Sequence, residues 1–265
     1  MTGAARPLGT VTRGTTHPNR LRRVDRWIAH RCAPALRTAT PPLVVDLGYG
    51  AEAWTPRDLR DTLRAVRADI EVVGIEIDPV RVTAAAAYAD STLTFRRGGF
   101  EVPLDGRRPT VIRAFNVLRQ YDEGDVAAAW STMSSRLAPE GLLVEGTCDE
   151  LGRHAWWVAL EAGAVRPRSL TLSTRLAGLQ RPSDLAERLP KVLIHRNVPG
   201  EPVHALLAAL DRHWAAAAPQ GAFGVRQRWL ATVTALRAGG TAVLDGPSRW
   251  RLGELTVPWS SVAPR

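Results

Sequence analysis

Two acids and two glycines stand where this chain could do chemistry. Asp46, Gly48 and Gly50 close the apolar run Leu43-Val44-Val45-Asp46-Leu47-Gly48-Tyr49-Gly50, and Glu76 stands near the end of a second run, Val72-Val73-Gly74-Ile75-Glu76-Ile77-Asp78. A strand that stops at glycines lets backbone approach a ligand closely, because glycine has no side chain in the way and tolerates positive φ. An acid ending the next strand can accept from both hydroxyls of a ribose. The pattern predicts a nucleoside-containing small molecule held at the carboxyl edge of a parallel sheet.

Gly48-Tyr49-Gly50-Ala51-Glu52-Ala53 fits the dinucleotide pattern G-x-G-x-x-A, which alone is a weak signal. Charge points to a different ligand. A carboxylate at Asp46, two residues before the first glycine, would repel a pyrophosphate, whereas S-adenosyl-L-methionine presents an ammonium and a sulfonium. Glu76 also lies further beyond Gly50 than the roughly 20 residues of the dinucleotide spacing. An NAD-dependent oxidoreductase built on the same turn is the alternative reading, and a non-catalytic cofactor-binding or interaction protein is a third.

These residues need a scaffold, and the rest of the chain supplies one. Residues 1–18, rich in Thr, Gly, Pro and Arg without apolar period, are expected to form a loose arm. Asn19 is placed to cap a helix whose apolar positions are Leu21, Val24, Trp27, Ile28 and Cys32. After Pro41-Pro42 comes the first core strand, residues 43–47. Thr55-Pro56 reads as a cap and first helical position, with Leu59, Leu63 and Val66 as the buried stripe. Strands at 71–77, 93–95 and 110–115 alternate with helices, the last at about 122–137, and a fifth strand covers 142–147. That alternation predicts an α/β fold with a doubly wound, mostly parallel sheet.

Past residue 147 the pattern changes to two extended segments, 154–160 and 169–176, read as antiparallel strands ending the sheet, then to helices at 203–217 and 227–238. The expected organisation is an arm, a core over residues 19–178, and a C-terminal helical accessory region over 179–265 packed on that core. A further strand is expected at 241–244. The adjacent Trp156 and Trp157 should point to opposite faces, one into the core and one toward a lid or partner. The apolar helices are read as a packed cap, with a lid or a dimer face as the other options.

Residues 43 to about 147 resemble the core of the class I S-adenosylmethionine-dependent methyltransferases, whose sheet is of Rossmann-like type with an antiparallel last strand. Val44-Val45-Asp46-Leu47-Gly48-Tyr49-Gly50 is similar to that family's first motif, Gly74-Ile75-Glu76 to its second, and Leu137-Ala138-Pro139-Glu140-Gly141-Leu142-Leu143 to its turn before the fifth strand. The resemblance implies Asp46 near the methionyl amine, Gly48, Tyr49 and Gly50 against the cofactor, Glu76 and Ile77 at the ribose, Gly99 and Phe100 at the adenine, and Asn116 at the amino-acid end. Gly98-Gly99-Phe100-Glu101 lacks the family's adenine-contacting Asp, and the ring of Phe100 could pack on the base instead; a core position is the competing reading. For Asp46 and Glu76 the competing reading is a strand-end acid capping a loop amide, and for Asn116 a turn residue.

Catalysis is less legible. Tyr121, Glu145, Asp149 and His154 follow strand ends where substrate binding and proton removal would occur, although solvated loop acids are the commoner explanation. Methyl transfer depends mainly on aligning nucleophile and sulfonium, so no dedicated base is required. Arg119, Cys148 and Glu150 join the same polar surroundings. The acceptor class is a small molecule in preference to nucleic acid, with RNA retained as the alternative.

At 265 residues and 45% hydrophobic, the chain can bury one sizeable core plus an appendage. Its charge of +9 is almost wholly arginine, Lys191 being the sole lysine, which reads as the bias of a GC-rich genome more than as a nucleic-acid surface. Cys32 and Cys148 are far apart and His195, His204 and His213 have no ligand spacing, so neither disulfide nor metal is expected. No apolar run approaches the roughly 20 residues of a membrane span, and residues 1–13 lack a signal core. A cytoplasmic protein, monomer or homodimer, with no membrane partner is the expectation.

Overall fold

The computed structural model describes residues 6–265. They form two compact units, one running through Glu145 with Glu150–Gly152 and Leu160–Arg166, the other comprising Gly146–Asp149, Arg153–Ala159 and Pro167–Arg265.

In the first unit, α1 (Arg22–Arg31) and α2 (Ala33–Thr38) lead into β1 (Leu43–Leu47), α3 (Trp54–Leu63), β2 (Glu71–Glu76), α4 (Pro79–Ala85), β3 (Leu93–Arg97), β4 (Val111–Phe115) and α5 (Glu123–Ser134). Every residue of β1 and β4 is buried, as expected of parallel strands covered on both faces. β1 pairs in parallel with β2, from Leu43 opposite Glu71 to Leu47 opposite Ile75, and on its other side with β4. β2 pairs in parallel with β3. The sheet therefore grows outward in one direction to β3 and resumes on the other side of β1 with β4. Ligands of doubly wound sheets bind outside the carboxyl ends of the strands at such a reversal.

β5 (Leu142–Cys148), β6 (His154–Glu161), β7 (Ser169–Thr174) and β8 (Glu254–Pro258) complete the order β3-β2-β1-β4-β5-β6-β7-β8. β6 and β7 are antiparallel, as are β7 and β8. The fold is thus the α/β, doubly wound, mostly parallel sheet with an antiparallel C-terminal end that the sequence predicts. The last strand differs in position. No strand forms at 241–244, where Leu244 only donates its amide to the Thr256 carbonyl of β8 at 2.9 Å.

Two helix starts also differ. α1 begins after Leu21, while Asn19 takes a left-handed turn (φ 60°) and donates its amide to Asp58 at 2.6 Å. α3 begins at Trp54, which frees the Thr55 hydroxyl to bond outside its own helix.

In the second unit both Trp156 and Trp157 are fully buried, so neither ring is available to a partner. Side chains of adjacent strand residues point to opposite faces, so burial of both rings means that both faces of β6 are covered here. The Trp156 indole N–H donates to the Leu185 carbonyl at 2.9 Å. The remaining helices are α6 (Lys191–Ile194), α7 (Pro202–Ala216), α8 (Val225–Ala238) and α9 (Pro247–Trp250). α7 and α8 pack on each other through Trp214 and Trp229, edge to face at 6.4 Å, with the Arg228 guanidinium 3.9 Å above the Trp214 ring.

Candidate functional site

The turn after β1 depends on its glycines. Gly48 and Gly50 have φ of 73° and 91°, a region costly for any residue with a Cβ. The Gly48 amide donates to the Ile75 carbonyl at 2.7 Å, and a Cβ on Gly48 would strike the Val117 side chain. Space beside the first glycine is therefore filled by the residue two past β4, and Gly48 serves packing at the sheet reversal.

Glu76, at the end of β2, is buried and closes the turn from the other side. Its Oε2 accepts the Gly50 amide at 3.0 Å, and its Oε1 accepts the amides of Ile77 and Asp78 at 2.8 and 3.3 Å. The Arg81 guanidinium stands 3.6 Å from Oε2. A carboxylate offers about four acceptor directions, and backbone amides take three of them.

Asp46 is engaged differently. Arg113 Nε donates to its Oδ1 at 3.0 Å, and its Oδ2 lies 2.7 Å from both Arg113 Nη2 and the Thr55 hydroxyl. The same guanidinium bonds Asp25 of α1 and the Thr55 carbonyl. All three charged side chains are buried. Burial raises the Asp25 pKa to about 7 against the opposing pull of Arg113. Burial also opposes the charge on Arg113, but Asp25 and Asp46 outweigh it and raise its pKa. The carboxylate that the resemblance puts near a methionyl amine is thus neutralised by a side chain of β4. The sequence signal for this cluster lies at Asp25, which shares the helical stripe of Leu21, Val24 and Ile28, and at Arg113, the charged residue within the apolar run of β4.

The cleft beyond the turn is lined by Leu47, Gly48, Glu76, Ile77, Gly98, Gly99, Phe100, Val117 and Tyr121, together with Leu8, Gly9, Thr10 and Thr12 of the arm. It holds about 270 Å³ including its open mouth. Phe100 and Tyr121 form a tilted ring pair at 5.2 Å. Glu101 fixes the turn around Phe100 by accepting the Gly99 amide at 2.9 Å. Asn116 sits at φ 60°, a conformation that Asn tolerates better than most residues. Tyr49 packs with Ala53, Ala85 and Phe95, its hydroxyl 3.4 Å from the Arg81 carbonyl, and burial pushes its phenol pKa well up.

Of the arm expected to be loose over residues 1–18, residues 1–5 lie outside the described residues, and residues 8–14 are bonded across this cleft. Leu8 donates its amide to Glu101 at 2.7 Å and accepts the Phe100 amide at 3.0 Å. Thr10 donates to the Tyr121 hydroxyl at 2.6 Å and Arg13 to the Gln120 side chain at 3.1 Å. Arg81 donates to the Thr12 carbonyl at 2.9 Å, and Ala51 to the Gly14 carbonyl at 2.9 Å. Polar composition concealed this, because the arm is held by its backbone while Leu8 and Val11 stay exposed.

Of the four catalytic candidates, Tyr121 lines the cleft. Glu145 is buried against the Trp130 indole N–H at 3.2 Å, and burial raises its pKa to about 8. In the second unit Asp149 accepts the amides of Arg153 and His154 at 2.8 and 3.2 Å, and His154 Nδ1 lies 2.7 Å from the Thr174 hydroxyl. Among the described residues no group of three His, Cys, Asp or Glu side chains is arranged to hold a metal, and no helix is long and apolar enough to cross a membrane.

No family model matches the chain, and neither does any curated protein. Solved structures similar to it include the citrinin polyketide synthase CMeT domain, at 16% identity over 42% of this chain and 30% of that one, TM-score 0.35. The CcbJ methyltransferase from Streptomyces caelestis matches at 18% identity over 59% of this chain and 71% of that one, TM-score 0.38. Human N-acetylserotonin methyltransferase in complex with SAM matches at 20% identity over 50% and 39%, TM-score 0.32. The chain thus spans less than two thirds of the first and third of these, and likeness at this level assigns neither chemistry nor acceptor.

Proposed function

We propose that the cleft at the carboxyl ends of β1, β2 and β4 binds S-adenosyl-L-methionine and that the protein transfers its methyl group to an acceptor. The observation that carries this reading is Glu76, a buried carboxylate at the end of β2, the strand beside β1, held at the edge of the cleft by three backbone amides with Arg81 3.6 Å from its Oε2. Ile77 and Phe100 supply apolar walls suited to a flat base, and the glycine turn leaves backbone bare beside them. These residues fit a nucleoside. When bound, the cofactor supplies an electrophilic methyl on sulfur.

The chain's own contribution is to hold and align. Glu76 accepts from a ribose hydroxyl while keeping the Gly50 amide, so ligand and turn are positioned by one side chain. Asp46 acts through Arg113 and Thr55, fixing β1 to β4 and to α3, and need not meet the ligand. Tyr121 faces the cleft and is the candidate to touch the acceptor. Alignment of the acceptor with the sulfonium carries most of the rate in such a transfer. A small-molecule acceptor is the preferred class; the exposed Arg22, Arg26 and Arg31 of α1 keep RNA as the alternative.

Neutralisation of Asp46 removes part of the charge argument against a dinucleotide, and NAD is therefore the second ligand to test. Calorimetric titration of the full chain with S-adenosylhomocysteine and with NAD separates them. Saturable binding of S-adenosylhomocysteine alone is expected, and binding of NAD alone would assign the turn to a dinucleotide.

A further inference from the structure

We infer that residues 8–14 are a strap that occupies the ligand cleft and must lift before a nucleoside ligand can enter. The inference rests on the reading of the cleft as a nucleoside site and adds a regulatory step to it. Three observations carry it.

The strap sits where a ligand would sit. A Cβ on Gly9 would lie 2.7 Å from the Tyr121 hydroxyl, 3.6 Å from the Phe100 ring and 3.7 Å from the Ile77 side chain, so Gly9, exposed on its outer side, lies directly against the walls proposed for the base. At the other end, a Cβ on Gly50 would lie 2.7 Å from the Gly14 carbonyl, so the face of the glycine turn that a ligand would use is covered by main chain. With the strap seated, the cavity left in the cleft is about 20 Å³, whereas sites for drug-sized ligands run from about 300 to 1,000 Å³.

The strap mimics what it displaces. Arg81, which stands beside Glu76, donates to the Thr12 carbonyl, and the amides of Ala51 and Phe100 are satisfied by the carbonyls of Gly14 and Leu8. Polar groups of the turn and of the β3 exit are thereby kept from being buried unpaired while no ligand is present.

The strap can leave. It is tied by hydrogen bonds worth about 0.5–1.5 kcal/mol each in net terms, and its large apolar side chains, Leu8 and Val11, are more than half exposed. Lifting it uncovers little hydrophobic surface of its own, the profile of a segment that opens locally without global unfolding. Gly9 and Gly14, at φ 128° and 75°, permit the path it takes. Apparent ligand affinity is then the intrinsic affinity multiplied by the fraction of molecules with the strap lifted.

The test uses two substitutions in the strap of the full-length chain, Gly9→Val and Gly14→Val. Both put a side chain at a positive φ, the first against Tyr121 and the second against the Arg81 guanidinium, and neither touches the sheet. S-adenosylhomocysteine affinity is measured by calorimetry, and hydrogen exchange of the Leu8, Thr10 and Arg13 amides is followed in parallel. Both variants are expected to exchange these amides freely and to bind about tenfold tighter or more than the parent chain. In the parent chain, saturating ligand is expected to release the same amides. If the ligand binds all three proteins equally and the parent's amides stay protected, the strap is a fixed wall and the inference is overturned while the cofactor reading stands. If the variants exchange freely and still bind no S-adenosylhomocysteine, the cofactor reading itself fails and the gate has no such ligand to admit.

Discussion

Glu76 holds the amide of Gly50 at 3.0 Å, so the last residue of β2 fixes the turn that ends β1. The same carboxylate is the group proposed to meet a ribose, which ties the shape of the turn to the occupancy of the cleft.

Glu76→Gln keeps the side chain's size but replaces one acceptor oxygen by a donor. A hydrogen bond to a charged group contributes about 1.5–3 kcal/mol, so S-adenosylhomocysteine affinity should fall about ten- to hundredfold. Titration calorimetry reads this directly, and unchanged affinity would remove Glu76 from the ligand contacts.

Gly48→Ala should destabilise the first unit by about 1–3 kcal/mol, combining the left-handed φ with collision against Val117. Combining it with Val117→Ala should recover only part of the loss, because the collision is relieved while the backbone cost remains. Urea midpoints of the two single variants and the double variant decide the split.

Arg113→Met leaves Asp25 and Asp46 buried without their cation. Breaking a buried pair from one side costs about 3–5 kcal/mol. Adding Asp25→Asn and Asp46→Asn to the Met variant should return most of that stability, and recovery smaller than about 1 kcal/mol would show that the guanidinium contributes chiefly through packing.

The Glu145 carboxyl has a folded-state pKa raised to about 8 by burial, above its ordinary 4.5. The folded state therefore binds the extra proton. Its contribution is fully present below pH 4.5 and is lost as pH rises through about 8. Glu145→Gln should match the parent chain near pH 4 and exceed it above pH 8 by on the order of a few kcal/mol. Parallel denaturation curves across that range test the sign.

The core strands and the glycine turn were legible because burial on both faces writes itself as unbroken apolar runs, as at Leu43 to Leu47, and because positive φ selects glycine. The seating of residues 8–14 was not legible, since hydrogen bonds made by backbone leave no mark in side-chain composition; Leu8 accepts the Phe100 amide through its main-chain carbonyl. Asp25 and Arg113 each stand out as a charge within an apolar pattern, but nothing local says that they pair across a long stretch of sequence. Trp156 and Trp157 were misjudged for a third reason: alternation assigns opposite faces but does not say how many faces are covered. β8 escaped notice because a strand that joins a sheet edge so late in the chain is specified by its partner β7.

Arg113 reaches α1 through Asp25, β1 through Asp46 and α3 through the Thr55 carbonyl. A guanidinium with no exposure needs both carboxylates and the carbonyl to offset its desolvation, which couples β4 to all three elements. The middle of the sheet and a helix encoded well ahead of it consequently fold and unfold as a single cooperative body, and the amides of α1 and β4 should exchange with the same free energy of opening.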